Sequence, residues 1–327
     1  MKFFKTTILL LIGCLSFQNC KKNDGNLWEI EIKKSVPKVD IIDISKEFYD
    51  LNIPLTDFEK KYPWFKGNMS DDIFVKRRNS KDEAQIYKMA ISKLDESQLK
   101  KNLEKLFLHI QYYFPEFQVP KVYLYSSAFQ GVIDPVFYRS KENLLFIDIT
   151  GFLGEKDKNY QGLEDYYLKT MNQKNLIPKI SMVISENIVN RRFDNPNFLE
   201  QMIYQGKLQI LQDAFLPTET DDLKIGFTKK EYDWCIANEP NIWNYFVEKD
   251  LLFSDDSQLV ERFIALGPFS KFYTEIDQES SAQVGVFIGK RICEEYFKNN
   301  KEEKLVDFIQ LSSKEIFNKS KYNPKFK

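Results

Sequence analysis

The sequence contains one histidine, His109, and that scarcity limits its chemistry before any motif is read. A tetrahedral zinc hydrolase draws on two or three imidazoles or thiolates, which one histidine cannot supply. His109 sits in a helical pattern with Leu106, Ile110 and Phe114, where a lone imidazole reads as structural or solvated rather than as half of a catalytic dyad. Cysteine is nearly as scarce. Cys14 and Cys20 lie at the N-terminus, and beyond them only Cys235 and Cys293 remain. Neither has CxxC spacing or a neighbouring histidine, so both read as buried free thiols rather than a disulfide, a redox pair or a nucleophile.

Other absences narrow the field further. There is no P-loop, no GxGxxG and no GxSxG elbow. Charge of one sign is missing too: 47 Lys+Arg stand against 48 Asp+Glu, leaving no field to attract nucleic acid or an anionic surface. Lysine far outnumbers arginine, the cation better suited to gripping phosphate with two parallel hydrogen bonds. No repeat or low-complexity tract appears, and past the leader no apolar run is long enough to span a bilayer.

The leader itself is informative. Lys2 and Lys5 form a basic start, and Thr6 to Phe17 is an apolar stretch of about a dozen residues, the h-region of a secretory signal rather than a membrane span. Cysteine follows where a small-residue cleavage site would stand. Two lipobox-like sites compete: Gly13-Cys14, which has the better preceding residue, and Asn19-Cys20, which ends the apolar run and opens into the polar spacer Lys21-Lys22-Asn23-Asp24-Gly25. Cys20 is the favoured lipidation site, with Cys14 the alternative. Residues 1–19 are then a lipoprotein signal peptide and 20–36 a lipidated tether. Loss of residues 1–19 removes two lysines and no acid, taking the formal charge from -1 to -1 - 2 = -3.

The mature chain, with 43% hydrophobic and 15% aromatic residues overall, can bury a sizeable core. The patterns predict one α+β domain over residues 37–327, predominantly α-helical, with a small sheet beside a helical bundle. The part up to about residue 155 is mixed and the part after about 160 mainly helical. Strands are expected at Pro37–Ser45, Lys121–Tyr125, Val132–Tyr138 and Leu144–Ile149, with Arg139–Glu142 as a hairpin connection. Residues 52–92 read as irregular or helical, with a packed turn at Lys61–Phe65. A helix is expected from Asp95 to Phe114. Later helices are expected at Pro178–Asn190, Pro196–Phe215, Thr228–Lys249, Ser257–Leu266 and Ser280–Lys298, with a terminal pair within Glu303–Lys319. Thr228 and Glu231 have capping-box spacing, Pro217 closes the Pro196–Phe215 helix, and Gly285 and Gly289 lie one helical step of four apart, as close helix packing requires.

Within the Pro196–Phe215 helix, Gln201, Gln205, Gln209 and Gln212 recur at steps of four, four and three and so share a stripe. A glutamine stripe ordinarily reads as a solvated face. Gln201-Met202-Ile203-Tyr204-Gln205 also has the spacing of His-Glu-x-x-His with each chemical group replaced. Amides are poor zinc ligands and a thioether cannot accept a proton.

Several segments together resemble one family. The runs Gln201–Lys207 and Asp213–Pro217, Asn238–Phe246, Pro268–Tyr273 and Val284–Gly289, with the turn Tyr112–Phe117 and the start Cys20-Lys21-Lys22, are similar to the gliding-motility lipoprotein GldB family of Bacteroidetes. The resemblance extends over essentially the whole mature chain; Asn19 before the lipid cysteine, Gln205 and Gln209 are its departures. It implies a place in the cell-envelope machinery of gliding and its associated secretion system. It also implies a zincin-like fold with the metal site lost, because the family is similar to metallopeptidases whose corresponding helix bears His-Glu-x-x-His. On that comparison no residue is catalytic and no metal or cofactor is held. Gln201, Met202, Gln205 and Glu239 are then the remnant of a site or the wall of a groove. The implied partners are the membrane, through the lipid, and other gliding and secretion proteins, with no nucleic acid or small-molecule substrate. Lys21 after the cysteine favours the periplasmic leaflet of the outer membrane over the inner membrane. A different class of function also fits: a hydrolase with Glu239 and Asp213 as ligands of magnesium or calcium.

Overall fold

A computed structural model describes residues 26–189, 196–275 and 277–326. Cys14, Cys20, Asn190 and the first residues of the tether lie outside that range. The architecture is α+β and mostly helical, as the sequence patterns predict.

Four short strands form one sheet: β1 (Ile41–Asp43), β2 (Lys121–Tyr125), β3 (Val136–Arg139) and β4 (Leu144–Asp148), in the order β1-β2-β4-β3. β1, β2 and β4 run parallel, with Ile42 beside Tyr123 and Tyr123 beside Phe146. β3 returns antiparallel on β4, placing Phe137 against Phe146. The hairpin between them turns at Asn143, whose φ of 55° is left-handed and whose side chain accepts from Tyr138 Oη at 2.9 Å. Both faces of the sheet are covered. Val122, Leu124, Leu145 and Ile147 join the main core, whereas Tyr123 and Phe146 point into a separate aromatic cluster with Phe48, Phe58, Tyr62 and Phe74. That double cover explains why β2 and β4 read as continuous apolar runs rather than alternating ones.

The aromatic cluster is built by helices that the sequence left indistinct: α1 (Ile44–Phe48), α2 (Leu55–Lys61), α3 (Asp71–Arg78) and α4 (Lys81–Ser92). Ser70 and Ser80 cap α3 and α4 by accepting from the amides of Ile73 and Glu83. The Lys61–Phe65 turn is packed as expected, with Trp64 edge-on to Tyr123 and Phe146 at centroid distances of 5.0 and 4.9 Å. The first strand is shorter than the Pro37–Ser45 pattern suggests, because Asp43 caps α1 and turns the chain out of the sheet. The third begins at Val136, after Pro135, and not at Val132.

α5 (Glu96–Tyr113), capped by Asp95, leads into β2. After the sheet come α6 (Asp165–Leu168), α7 (Leu176–Ile188), α8 (Phe198–Phe215), α9 (Asp221–Ile225), α10 (Lys229–Glu248), α11 (Gln258–Phe263), α12 (Val284–Asn299), α13 (Leu305–Phe308) and α14 (Ser313–Ser320). α8 is the hub: every residue from Gly206 to Phe215 is buried. Several boundaries differ from expectation for local reasons. α8 starts at Phe198 rather than Pro196, since Asn197 and Glu200 form a reciprocal capping box. α12 starts at Val284 rather than Ser280, because Gln283 adopts a left-handed φ of 56°. α11 ends at Phe263, short of Leu266. α7 starts at Leu176, with Pro178 inside its first turn, where proline costs little. Thr228 caps α10 through the expected box with Glu231. One core contains residues of β2, β4 and α5 together with α8 and α12. No helix among the described residues is long and apolar enough to cross a membrane.

Candidate functional site

The glutamine-bearing helix α8 meets α12 at a backbone-to-backbone crossing. A Cβ built on Gly206 would stand 2.2 Å from Gly289 O, and one on Gly289 would stand 1.8 Å from Met202 O. Only two glycines permit this approach; any side chain at either position displaces main chain. The Gly285–Gly289 spacing thus does what its pattern implies, and a Cβ on Gly285 would likewise stand 2.9 Å from Phe263 O of α11. Met202 is sealed beneath the crossing, with no exposed surface. Its thioether, part of the main apolar core, has no group that could accept a proton.

The glutamines do not form one solvated face. Gln201 and Gln205 are half-buried, and Gln201 Nε2 lies 3.5 Å from Pro196 O. Gln209 and Gln212 are each 1% exposed. Gln212 Nε2 donates to Pro178 O and Lys224 O, both at 3.2 Å, tying α8 to α7 and to α9. The later part of the stripe, Gln209 and Gln212, faces inward because α7, α9 and α12 pack around this helix, which its own periodicity cannot show. Next to it, the buried Lys207 donates to Ile309 O at 2.9 Å and Leu311 O at 2.6 Å, satisfying carbonyls between α13 and α14. Burial lowers the Lys207 ammonium from its ordinary pKa.

One turn beyond, α8 carries Asp213 into a chain of charges. Asp213 accepts from Lys224 on one oxygen and from Lys290 on the other. Lys224 reaches Asp221 at 2.9 Å, and Lys290 reaches Glu294 at 2.8 Å and Asp221 at 3.5 Å. Glu294 pairs with Arg291, which donates from Nε to Glu239 at 3.0 Å. Two phenols complete the set: Tyr232 Oη donates to Asp221 at 2.9 Å and Tyr322 Oη to Glu239 at 2.8 Å. Four carboxylates and three cations, from α8, α9, α10 and α12, therefore form one connected layer.

Burial raises the Asp213 carboxyl against the pull of Lys290 and Lys224. At Asp221 burial also acts upward, but Lys290 and Lys224 outweigh it and hold the group down to about 2. Burial alone would lower Lys290, yet Asp213, Glu294 and Asp221 raise it. The layer is an internal counter-ion lattice, with each acid facing a cation or a phenol.

The structure thus connects Asp213 and Glu239, which sequence alone could not show to converge, and it connects them through cations. Both carboxylates are spent on protein groups. Among the described residues no three His, Cys, Asp or Glu side chains are grouped so as to hold a metal ion. Gln201, Met202 and Gln205 occupy the first two turns of α8, ahead of the ionic layer. Lys290 and Lys207 are the residues a sequence reading passes over, although a signal exists. Lys290 lies four residues after Val286 and three before Cys293, on the apolar face of its helix, and Lys207 lies between Ile203 and Ile210 in the same way. A lysine on a buried face needs a partner.

The remaining candidates are quiet. Cys235 and Cys293 are unpaired and buried, and burial pushes the Cys235 thiol up to about 12. His109 is buried against the Ala214 backbone, its pKa lowered by burial and by Lys105. Two clefts flank the ionic layer. One, of about 630 Å³, reaches Asp213, Asp221 and Lys224 between Trp28 and Phe297; the other, of about 640 Å³, exposes the rim of Glu239 and Arg291 beneath the C-terminal residues 321–326.

The chain matches the family described as "Gliding motility protein GldB" over residues 20–324. No curated protein and no solved structure matches it.

Proposed function

Because the chain belongs to the gliding-motility protein GldB family, we propose that it serves gliding as a lipid-anchored, non-catalytic component of the cell envelope, a scaffold or protein-binding element of the motility and secretion machinery. The observation that carries the non-catalytic part is the state of α8. At the spacing of His-Glu-x-x-His it presents Gln201, Met202 and Gln205, with Met202 sealed under Gly289. The nearest acids, Asp213 and Glu239, already neutralise Lys224, Lys290 and Arg291. A rigid helical body whose buried charges face one another suits a part that transmits contacts rather than one that polarises a substrate.

The anchored part rests on the leader: a dozen apolar residues and then Cys20, which becomes the acylated N-terminus, with Cys14 as the alternative. The body then faces the periplasm, from the inner leaflet of the outer membrane. Gln201, Gln205 and Glu239 are structural in this reading, the remains of a site and not a working one.

Complementation tests both parts. Deletion of the gene should stop gliding. A Gln201→Ala/Gln205→Ala chain should restore it at wild-type protein levels, and a Cys20→Ser/Cys14→Ser chain should not. Loss of gliding with the glutamine variant, while the protein remains folded and abundant, would show that the α8 amides act in chemistry and would sink the scaffold reading. Elemental analysis of the purified protein after exposure to mixed divalent metals gives an independent check. One tightly held equivalent, lost on Glu239→Gln, would point instead to the carboxylate-metal hydrolase.

A further inference from the structure

The lipid anchor proposed above, together with the place where the tether joins the body, fixes which side of the molecule meets the membrane. Asn26 is pinned: its Nδ2 donates to Pro217 O at 2.7 Å, at the end of α8. Two residues on, Trp28 is wedged edge-on between Tyr113 of α5 and Phe297 of α12, at centroid distances of 6.0 and 5.0 Å. From Cys20 to Asn26 there are six residue steps, which span at most about 20 Å when fully extended. That is shorter than the roughly 30 Å diameter of even a small domain. A chain lipidated at Cys20 cannot turn an arbitrary face to the bilayer.

The surface around this docking point has the make-up of a membrane-apposed face. Leu27 is 51% exposed, Tyr112 43% and Val306 44%. These three side chains, contributed by the tether, α5 and α13, border one cleft of about 400 Å³, with Lys301 and Lys304 on its rim. Aliphatic groups, an aromatic ring with a polar tip and long cationic stems are the side chains that settle at the headgroup level: the apolar parts enter it and the ammonium groups stay in water. The charge of this rim is mixed. Lys298 pairs with Glu295 at 2.8 Å, Glu303 accepts from Tyr296 Oη at 2.6 Å, and Glu302 lies between the two rim lysines. A surface so balanced does not depend on anionic lipid.

We propose that the face formed by Leu27, Tyr112 and Val306 rests on the phospholipid headgroup layer of the leaflet that carries the anchor, and so holds the molecule in one orientation on its membrane. The inference rests on lipidation at Cys20 and adds to it a defined contact surface. It follows that the 630 Å³ cleft over the ionic layer, which shares Leu27 and Trp28 with this face, opens beside the membrane.

The test uses the full lipoprotein reconstituted in phosphatidylethanolamine/phosphatidylglycerol vesicles. Single reporter cysteines are placed at Leu27→Cys, Tyr112→Cys and Val306→Cys, with Ile73→Cys on α3 and Phe137→Cys on β3 as controls of similar exposure. The native Cys235 and Cys293 are buried and do not compete for a thiol-reactive fluorophore. Headgroup-nitroxide lipids should quench the three face positions at least twofold more than the two controls, and raising the salt concentration should leave that ratio unchanged. Equal quenching at all five positions, with lipid present on Cys20, would overturn the oriented face and leave the anchor standing. Failure of the anchor would appear separately, as a Cys20 peptide without lipid mass and a protein that does not float with vesicles, and would overturn both.

Discussion

The two halves of α8 solve opposite packing problems. Its first half, Phe198 to Gly206, presses main chain to main chain against α12 with no side chain between them at Gly206 and Gly289. Its second half, Lys207 to Phe215, sets two buried charges, Lys207 and Asp213, among apolar core residues and meets α12 through the Asp213–Lys290 pair. The first arrangement depends on volume and tolerates nothing added. The second depends on each charge keeping its partner, and tolerates changes in volume better than changes in charge. A buried ion pair contributes little net stability over an apolar substitute, but breaking one partner out of it is costly.

The largest expected effect comes from the crossing. Gly289→Val places branched carbon where Met202 O now lies, and Gly206→Ala drives a methyl into Gly289 O; each should lower unfolding free energy by about 3 kcal/mol or more, as measured by denaturant titration, with Gly289→Val the worse and prone not to fold. Next is the ionic layer. Lys290→Met leaves Asp213 and Glu294 short of a cation and should cost about 3–5 kcal/mol. Adding Asp213→Asn to that variant should recover part of the loss; if the double mutant is instead as unstable as the sum of the singles, the layer is not a charge-balanced unit. Lys207→Met should cost about 1–3 kcal/mol by removing the donor to the buried Ile309 carbonyl and the part-buried Leu311 carbonyl, and the loss should register locally as faster amide exchange in residues 305–320.

The smallest effect concerns acid. Asp221 is depressed in the folded chain, so its contribution is complete above its ordinary value near 3.8 and is lost as the pH falls through about 2. Stability should therefore fall between about pH 4 and pH 2, and Asp221→Asn should flatten that part of the profile while lowering stability at neutral pH. Asp213, raised by burial, works in the opposite sense and outside this window: its destabilising share is relieved as the pH falls toward its ordinary value near 3.8, and is constant below it. A profile of identical shape in both proteins would place the acid sensitivity elsewhere.

Much of the fold is legible in the residues. Period located α5, α8 and α10 to within two residues, helped at α8 by the closing Pro217 and at α10 by the capping-box spacing of Thr228 and Glu231. β2 and β4 were equally plain as short apolar runs. The indistinct part was Leu55–Ser92, where short helices contribute single rings such as Phe58 and Phe74 to a shared cluster and carry no stripe of their own. α9, five residues long, left no periodic signal at all. At the site, the sequence made plain that the imidazole ligands are missing but not where the glutamines point. Gln209 and Gln212 are buried by helices distant in sequence, and no local pattern on α8 encodes that. The partners of Asp213 and Glu239 were hidden for the same reason: 77 residues separate Asp213 from Lys290, and 52 separate Glu239 from Arg291.

The paired glycines also constrain how the chain can change over time. Since each of Gly206 and Gly289 faces the other helix's backbone, a mutation at either one has no tolerated first step, and a second mutation at the other cannot rescue it, because the obstruction is main chain and not a side chain that could be trimmed. A lineage could leave this arrangement only by moving α8 and α12 apart along their whole length, which would dismantle the ionic layer in the same event. The two glycines and Asp213, Lys224 and Lys290 should therefore be inherited as a block, kept together or lost together, whatever happens to the amides of Gln201 and Gln205.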